Sequence, residues 1–589
     1  MLVSLFCQFM LTTGRGVAQT VSPASLHQEI TQQWRDEHRI IDLHQHVNFT
    51  PEHLARCVKI MGEAGIGLIV NLSGGFVTHR EGEKSEFERN KELADSLFPG
   101  RFLHYFSLNF NGWDEPNWSA KAVEQVEDAF RLGAAGLKEY KRLGLFFKDK
   151  NGQLIKIDDP KLDPVWSRCG ELGMPITIHV ADPLAFWKPY DETNERWDEL
   201  RDHPGWWFGD PEKYPPFHDL IDALHRVIER HPKTIFVCAH FGCYPEDAQA
   251  VAKALDKFPN MMVDIAARVP ELGRQDAKTI RDVFTKYADR ILFGTDFMVY
   301  DRLILGSSGN EPPPTDEQAL EFYRKHWRWF DTNDRQFEHM TPIQGNWKID
   351  AIGLSPDVQR KILFDNARRL LARSLPTPTV VANFTNDKIT LDGRLDEHAW
   401  QNTKPVYVES ALVTAAVVPQ ISTTVRTLWT DDAIYFAFEA PYTELTTFEP
   451  PLENGEERLG LWERDVVEVF IGTNLDRITQ YAEFEVAPTG EKLDLTLDYP
   501  EKDFQWSSGF DAAVHIDPSA RTWTTEIRIP LDSLAKDKPV DGTCWRINFY
   551  RHDVAWKSFL AWNPALKPSA HTPERFGILQ FQKSTGGKE

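Results

Sequence analysis

Cysteine is scarce in this chain: six residues in 589, at positions 7, 57, 169, 238, 243 and 544. No two of them form a CxxC pair, which excludes a structural zinc ribbon, and their spacing makes no disulfide framework. Cys238 lies in the apolar run Thr234–Ala239 and reads as a buried hydrophobe rather than a nucleophile. Positive charge is also short. Lys and Arg number 66 against 88 Asp and Glu, a net charge of −22. Nucleic acid and anionic membrane are therefore not expected partners, since both require a basic face. Long apolar runs are missing too. The stretch from Leu2 to Leu11 is too short to cross a bilayer, and no later segment is apolar enough to be transmembrane. Followed by the small-x-small pattern Gly16-Val17-Ala18, residues 1–19 are expected to be a signal peptide without the usual positive start. The protein is accordingly expected to be exported, with a cytoplasmic leader as the alternative.

What the chain does contain is an ordinary globular mixture, 41% hydrophobic and 26% charged, in a length that exceeds one hydrophobic core. Two domains are expected: 20–373 and 383–583, joined by a proline-marked linker at 374–382. In the first, short β-branched runs alternate with amphipathic stretches, the signature of βαβ units. The expected strands are Ile40–His44, Gly67–Leu72, Phe102–Leu108, Gly136–Tyr140, Pro175–Val180, Thr234–His240, Met261–Ala266 and Ile291–Asp296. Eight such strands fit an α/β fold of the (β/α)₈ TIM-barrel type. Helices are expected at Ala120–Leu132, Pro216–His231 and Ser355–Ala372. Two Trp-rich segments, Asp182–Pro216 and Met298–Leu354, leave the C-terminal ends of strands five and eight. They are expected to be loops forming lids or substrate walls. Beyond the linker, short alternating runs such as Ala433–Glu439, Val466–Ile471, Tyr481–Val486 and Trp523–Ile529 read as an all-β sandwich.

The chemistry gathers at strand ends. In Asp42-Leu43-His44-Gln45-His46 the period-two alternation of a strand puts His44 and His46 on one side. Two adjacent imidazoles offer a bidentate site for a divalent metal such as zinc. One such pair, or one terminal histidine, is commonly a satisfied core residue. Here His179 ends strand five, His240 strand six and Asp296 strand eight, so five metal-type side chains share the C-terminal mouth.

On these motifs the barrel segment resembles the amidohydrolase superfamily, in particular the branch of aminocarboxymuconate-type decarboxylases and related lactonases. The resemblance rests on His44-x-His46, Gly136-Leu137-Lys138, His179, Ala239-His240-Phe241-Gly242, Gly294-Thr295-Asp296 and Phe364-Asp365-Asn366-Ala367-Arg368. It implies His44, His46, His179 and Asp296 as metal ligands. His240 and Asp296 become the catalytic pair, Asp296 taking a proton from metal-activated water and His240 polarising the carbonyl or aligning the nucleophile. Lys138 either bridges a second metal as a carboxylated lysine, as in binuclear relatives, or binds a substrate carboxylate; one metal is expected. Arg268 and Arg274 offer a fork for a carboxylate, or else salt-bridge to Glu271 or Asp264. Asp182 is expected to contact substrate or brace a lid.

The sandwich resembles family 9 carbohydrate-binding modules at Ile389–Trp400, Leu461–Phe470, Trp523–Pro530 and Trp545–Phe549. A sugar site would place aromatic faces against pyranose rings. Trp462, Trp506 and Trp562 are the expected platforms, with Trp556 a further candidate, whereas Trp400, Trp523 and Trp545 read as core. The expected function is a metal-dependent hydrolase of an amide, ester or lactone bond, in a small, sugar-derived substrate, with a carbohydrate-binding accessory domain. The alternatives are a non-oxidative decarboxylase using the same ligands and an exported sugar-binding protein with an inert barrel. Homo-oligomerisation is left open.

Overall fold

The computed structural model describes residues 23–307, 309, 312–452 and 457–583; the expected leader at 1–19 lies outside them. Eight parallel strands form the first domain: β1 (Ile40–Val47), β2 (Ile66–Asn71), β3 (Phe102–Ser107), β4 (Gly136–Glu139), β5 (Ile176–Ile178), β6 (Phe236–Cys238), β7 (Met261–Asp264) and β8 (Ile291–Leu292). Each is pleated between buried neighbours, as β-branched runs in a parallel sheet require. The sheet curls until its ends meet. Leu43 N donates to Phe293 O (3.0 Å) and Asp296 N to His44 O (2.8 Å). Strand eight is shorter than its sequence suggests, because the chain leaves the ladder at Gly294. A Cβ there would lie 2.9 Å from the Cβ of His44, so only glycine lets this segment approach β1. The chain then rejoins β1 as β9 (Phe297–Val299), which folds back on β10 (Leu303–Leu305).

The helices follow from local signals. Thr50 caps Pro51–Ala64 with proline in the first turn, and Gly65, in the left-handed region, ends it. Phe217–Arg230 buries Phe217, Leu220, Ile221, Leu224, Val227 and Ile228, one stripe at helical spacing. Two expectations are corrected. Met298–Leu354 is not a loop: besides the hairpin it contains the helix Asp316–Asp331, opened by a Thr315–Gln318 capping box. Its Trp327, Trp329 and Phe330 are buried against the barrel and wall no substrate site. The expected helix Ser355–Ala372 is interrupted by a π turn at Lys361–Asp365. There Asn366 Nδ2 donates to the carbonyls of Ala288 (2.7 Å) and Ile291 (2.8 Å), tying the segment under β8.

The second domain is β-rich. Cys544–Asp553 pairs Val466–Gly472 on one side and Gly577–Gln582 on the other. One half continues through Gln480–Val486 to Lys492–Asp498. The other continues through Thr379–Phe384, Thr423–Trp429, Ala433–Pro441 and Thr522–Pro530. Thr379–Phe384 begins inside the stretch read as linker. The apolar faces of both halves, among them Phe436, Phe438, Phe484, Ile527 and Phe549, share one core. Buried Glu409 joins the domains, accepting from Arg39 Nη2 (2.9 Å), Arg360 Nη2 (2.6 Å) and Arg368 Nη1 (2.8 Å).

Candidate metal centre

Three ligand-type atoms converge at the C-terminal mouth of the barrel. Among the described residues, His44, His46 and Asp296 form a set whose donor atoms lie within 4.8 Å of one another. Both histidine Nε2 atoms stand 3.5 Å from Asp296 Oδ1, an oxygen that is buried and has no hydrogen-bond partner. The opposite ring nitrogens are taken. His44 Nδ1 donates to Asp264 Oδ2 (2.9 Å), and His46 Nδ1 shares a 2.6 Å hydrogen bond with Ser73 Oγ. Such partners fix ring orientation and leave Nε2 free to ligate. The ladder register of β1 shifts between Asp42 and Gln45. Asp42 therefore bonds away from the site, to Thr295 Oγ1 (2.5 Å) and Tyr323 Oη (3.0 Å).

The backbone at the site is strained. Asp296 (φ 58°), His240 (φ 56°) and Ala267 (φ 55°) all occupy the left-handed region, which non-glycine residues adopt at a cost. Burial, and then neighbouring His44, hold the His46 imidazole well below its usual range; burial brings His179 to about 3. Burial and adjacent His179 do the same to His240. These are neutral imidazoles, the form that ligates a cation. Burial pushes the Asp296 carboxyl up while His44 draws it down. The donor set, its orphan carboxylate oxygen and its neutral rings fit a divalent metal ion.

His179 is not in the three-atom set. Its Nε2 is 3.4 Å from Asp182 Oδ1 without a hydrogen bond, and its ring meets that of His240 edge-on at 4.3 Å. Asp182 is itself paired with buried Lys141; burial pushes its carboxyl up, and the Lys141 ammonium more than reverses this. His240 Nδ1 donates to Ala266 O (2.8 Å) and its backbone N–H to Asp264 Oδ1 (2.8 Å). Lys138 is buried with an unpartnered Nζ, and burial lowers its pKa. Lys138, Arg268, His179, His240 and Asp182 all line a cavity of about 520 Å³ above the three donors. Phe186 and Trp206 of the segment after β5 wall that cavity, with Tyr140 and Tyr300.

Arg274 is brought elsewhere. It pairs with Glu195 (2.9 Å) and stacks on Trp347 (4.4 Å), outside the cavity lining, because the helix Val269–Gly273 carries it away from β7. The alternative pairing of Arg268 with Glu271 is not formed, since Glu271 pairs with Arg196. Asp264, which the sequence offers only as a possible partner for Arg268 or Arg274, instead orients His44 and holds the His240 backbone. Its signal was its place at the end of β7, facing the same mouth as the histidines.

In the sandwich, Trp562 is 8% exposed and a Cβ on Gly577 would lie 2.4 Å from its ring, so it is a packing residue and not a sugar platform. Trp506 is half-buried against Phe484 and lines a second cavity of about 540 Å³. Trp462 is 38% exposed at the rim of the domain.

Residues 111–373 match the family model described as amidohydrolase, and residues 391–584 match that of the carbohydrate family 9 binding domain-like group. No curated protein matches the chain. Among solved structures, a family 9 carbohydrate binding module from Caldicellulosiruptor kristjanssonii in complex with cellotriose is 17% identical. It covers 36% of this chain and 96% of its own, with a TM-score of 0.27. The 2,6-dihydroxybenzoate decarboxylase from Rhizobium is 16% identical over 56% of this chain and 98% of its own, TM-score 0.32. A dihydroxybenzoic acid decarboxylase from Polaromonas sp. JS666 with bound manganese and an inhibitor is 15% identical over 56% and 96%, TM-score 0.32. The chain joins an amidohydrolase-family enzyme domain to a β-rich domain of the family 9 carbohydrate-binding type.

Proposed function

We propose that the barrel is a hydrolase that uses one divalent ion, zinc, to cleave an ester, lactone or amide bond in a small substrate. We further propose that the sandwich binds carbohydrate, with Trp462 at its rim, and that the protein is exported. The observation that carries the hydrolytic reading is the hydrogen bond from His240 Nδ1 to Ala266 O. A carbonyl oxygen only accepts, so the proton sits on Nδ1 and Nε2 keeps its lone pair. A neutral imidazole in that tautomer accepts a proton, as attack by water requires; it has none to give to a carbanion.

His44, His46 and Asp296 would hold the ion, with His179 beside them in the same cavity. When bound, the ion supplies Lewis acidity toward a substrate oxygen and toward water. His240 Nε2 takes the proton. Arg268 and Lys138, both buried on the cavity wall, orient an anionic part of the substrate. Phe186 and Trp206 cover the site and limit water. The same two cations also favour a second reading, a decarboxylase that holds its scissile carboxylate between them. A screen of sugar lactones, N-acyl compounds and hydroxybenzoates, followed by titration of released acid and by trapping of CO2, separates the two. Acid release from a lactone or acyl compound supports the hydrolase; CO2 release without hydrolysis sinks it.

A further inference from the structure

Where the two domains meet, three cations from three separate elements line one cavity of about 250 Å³. Arg39 immediately precedes β1, Arg368 lies on the helix Asn366–Leu370, and Lys404 enters the sandwich just before Val406–Val408. The acids on the same wall are Glu409 and Glu37. Glu409 is fully engaged. Besides Arg39 and Arg368 it accepts from Arg360 Nη2 (2.6 Å) and from Ser422 Oγ (3.0 Å), and Arg360 is in turn occupied by Asp365 (2.9 Å). Glu37 comes no nearer to Arg39 than 4.0 Å. A guanidinium carries five N–H donors, yet Arg39 and Arg368 each give Glu409 a single one. Among the described residues neither side chain makes another hydrogen bond, and both remain partly exposed, at 16% and 27%. Arg39 is also held in place, its guanidinium 4.7 Å from the Phe364 ring and 4.9 Å from the Tyr407 ring. Such stacking fixes the plane of the group and leaves its N–H edge free to bond. Lys404 is exposed and, among the described residues, has no hydrogen bond or ion pair. The wall thus carries three positive charges against two negative ones, in a chain whose net charge is −22.

We propose that this cavity between the domains binds a small oxyanion, a carboxylate or a phosphate, held by Arg39, Arg368 and Lys404. Both anions present the paired acceptor oxygens that a guanidinium fork matches, and a lysine adds a point charge beside them. A neutral ligand would satisfy hydrogen bonds and leave the excess of positive charge in place. A cation would meet that excess, with Glu409 already shared among three arginines. The volume is below the roughly 300–1,000 Å³ of sites for drug-sized ligands, which points to a small anion. The site is separate from the metal centre. Arg39 stands at the start of β1 and His46 near its end, and the two cavities share no lining residue. It is therefore independent of the reaction proposed for the barrel. Because its donors come from both domains, a bound anion ties them together.

Calorimetric titration of the full chain with sodium phosphate and with sodium acetate, each against sodium chloride at equal ionic strength, tests this. Anions can also enter the barrel mouth, where Lys138 and Arg268 line the other cavity, so variants assign the heat. Lys404→Glu is expected to weaken binding about tenfold or more, the worth of one charge-assisted contact. Lys404→Gln, which removes the charge without reversing it, is expected to show a smaller loss, and Lys138→Met none. Tighter binding of phosphate than of acetate identifies a phosphate ligand, and the reverse order a carboxylate; either supports the site. Binding that survives Lys404→Glu and disappears in Lys138→Met belongs to the barrel mouth and overturns the proposal. So does the absence of heat beyond chloride with both anions, a result read on the unaltered protein and independent of how any variant folds.

Discussion

The two domains bury charged side chains in opposite ways. At the barrel mouth each ring is held by one nitrogen: His44 by Asp264, His46 by Ser73, His240 by the Ala266 carbonyl. What stays without a hydrogen bond there, Asp296 Oδ1, His179 Nε2 and Lys138 Nζ, belongs to residues lining one cavity. In the sandwich Glu468, Glu483 and Glu485 are buried side by side on two paired strands, with no cation among the described residues bonded to them. A group tethered on one side is aimed and ready for chemistry, which rewards geometry. Carboxyls with so little support are pushed upward by burial and, at Glu468 and Glu485, by neighbouring carboxyls, which favours their neutral form.

The comparison can be broken at several points. The largest effect is expected from His44→Ala, which should take bound metal from about one equivalent to near zero by elemental analysis, since three protein ligands are the usual minimum of such a site. Asp264→Asn keeps every ligand and removes only the carboxylate that orients His44. Metal affinity should fall about 10–100-fold in competition with a chelator; an unchanged affinity would mean that tethering is not what aims the ring. The domain joint should respond next. Glu409→Gln removes the anion shared by Arg39, Arg360 and Arg368, of which Arg360 keeps Asp365 (2.9 Å), and should cost about 3–5 kcal/mol in denaturant unfolding. Burial pushes Glu409 up, but Arg368, Arg360 and Arg39 outweigh it and hold the carboxyl at about 2. A depressed carboxylate stabilises the fold above its unfolded value. That contribution, about 3 kcal/mol, is therefore complete above pH ~4.5 and disappears as pH falls toward ~2; the glutamine variant should lack this acid-sensitive portion. The smallest effect belongs to Arg274→Ala. Its pair with Glu195 is partly exposed, so stability should move by less than ~0.5 kcal/mol and turnover not at all.

Much of this was legible beforehand where one residue type has one local meaning. Apolar stripes marked the helices, and alternation marked the strands and separated core Trp400, Trp523 and Trp545 from exposed Trp462. The helix Asp316–Asp331 was readable too, since Ala319, Phe322, Tyr323, His326 and Phe330 recur at helical spacing after Thr315. The density of tryptophan there favoured a loop over the helix. Trp562 failed for a related reason: its exposure depends on Gly577, which is adjacent only in space.

From the order of residues alone came the barrel of eight parallel strands, the β-rich partner and the placing of His44, His46, His179, His240 and Asp296 near strand ends, because periodicity is local and survives without coordinates. Which of them stand within ligand reach, which nitrogen of each ring is free, and where Arg274 comes to lie were decided only by tertiary structure. Those facts depend on register shifts, left-handed turns and hydrogen bonds between residues as distant as 44 and 264, and no sequence window spans them.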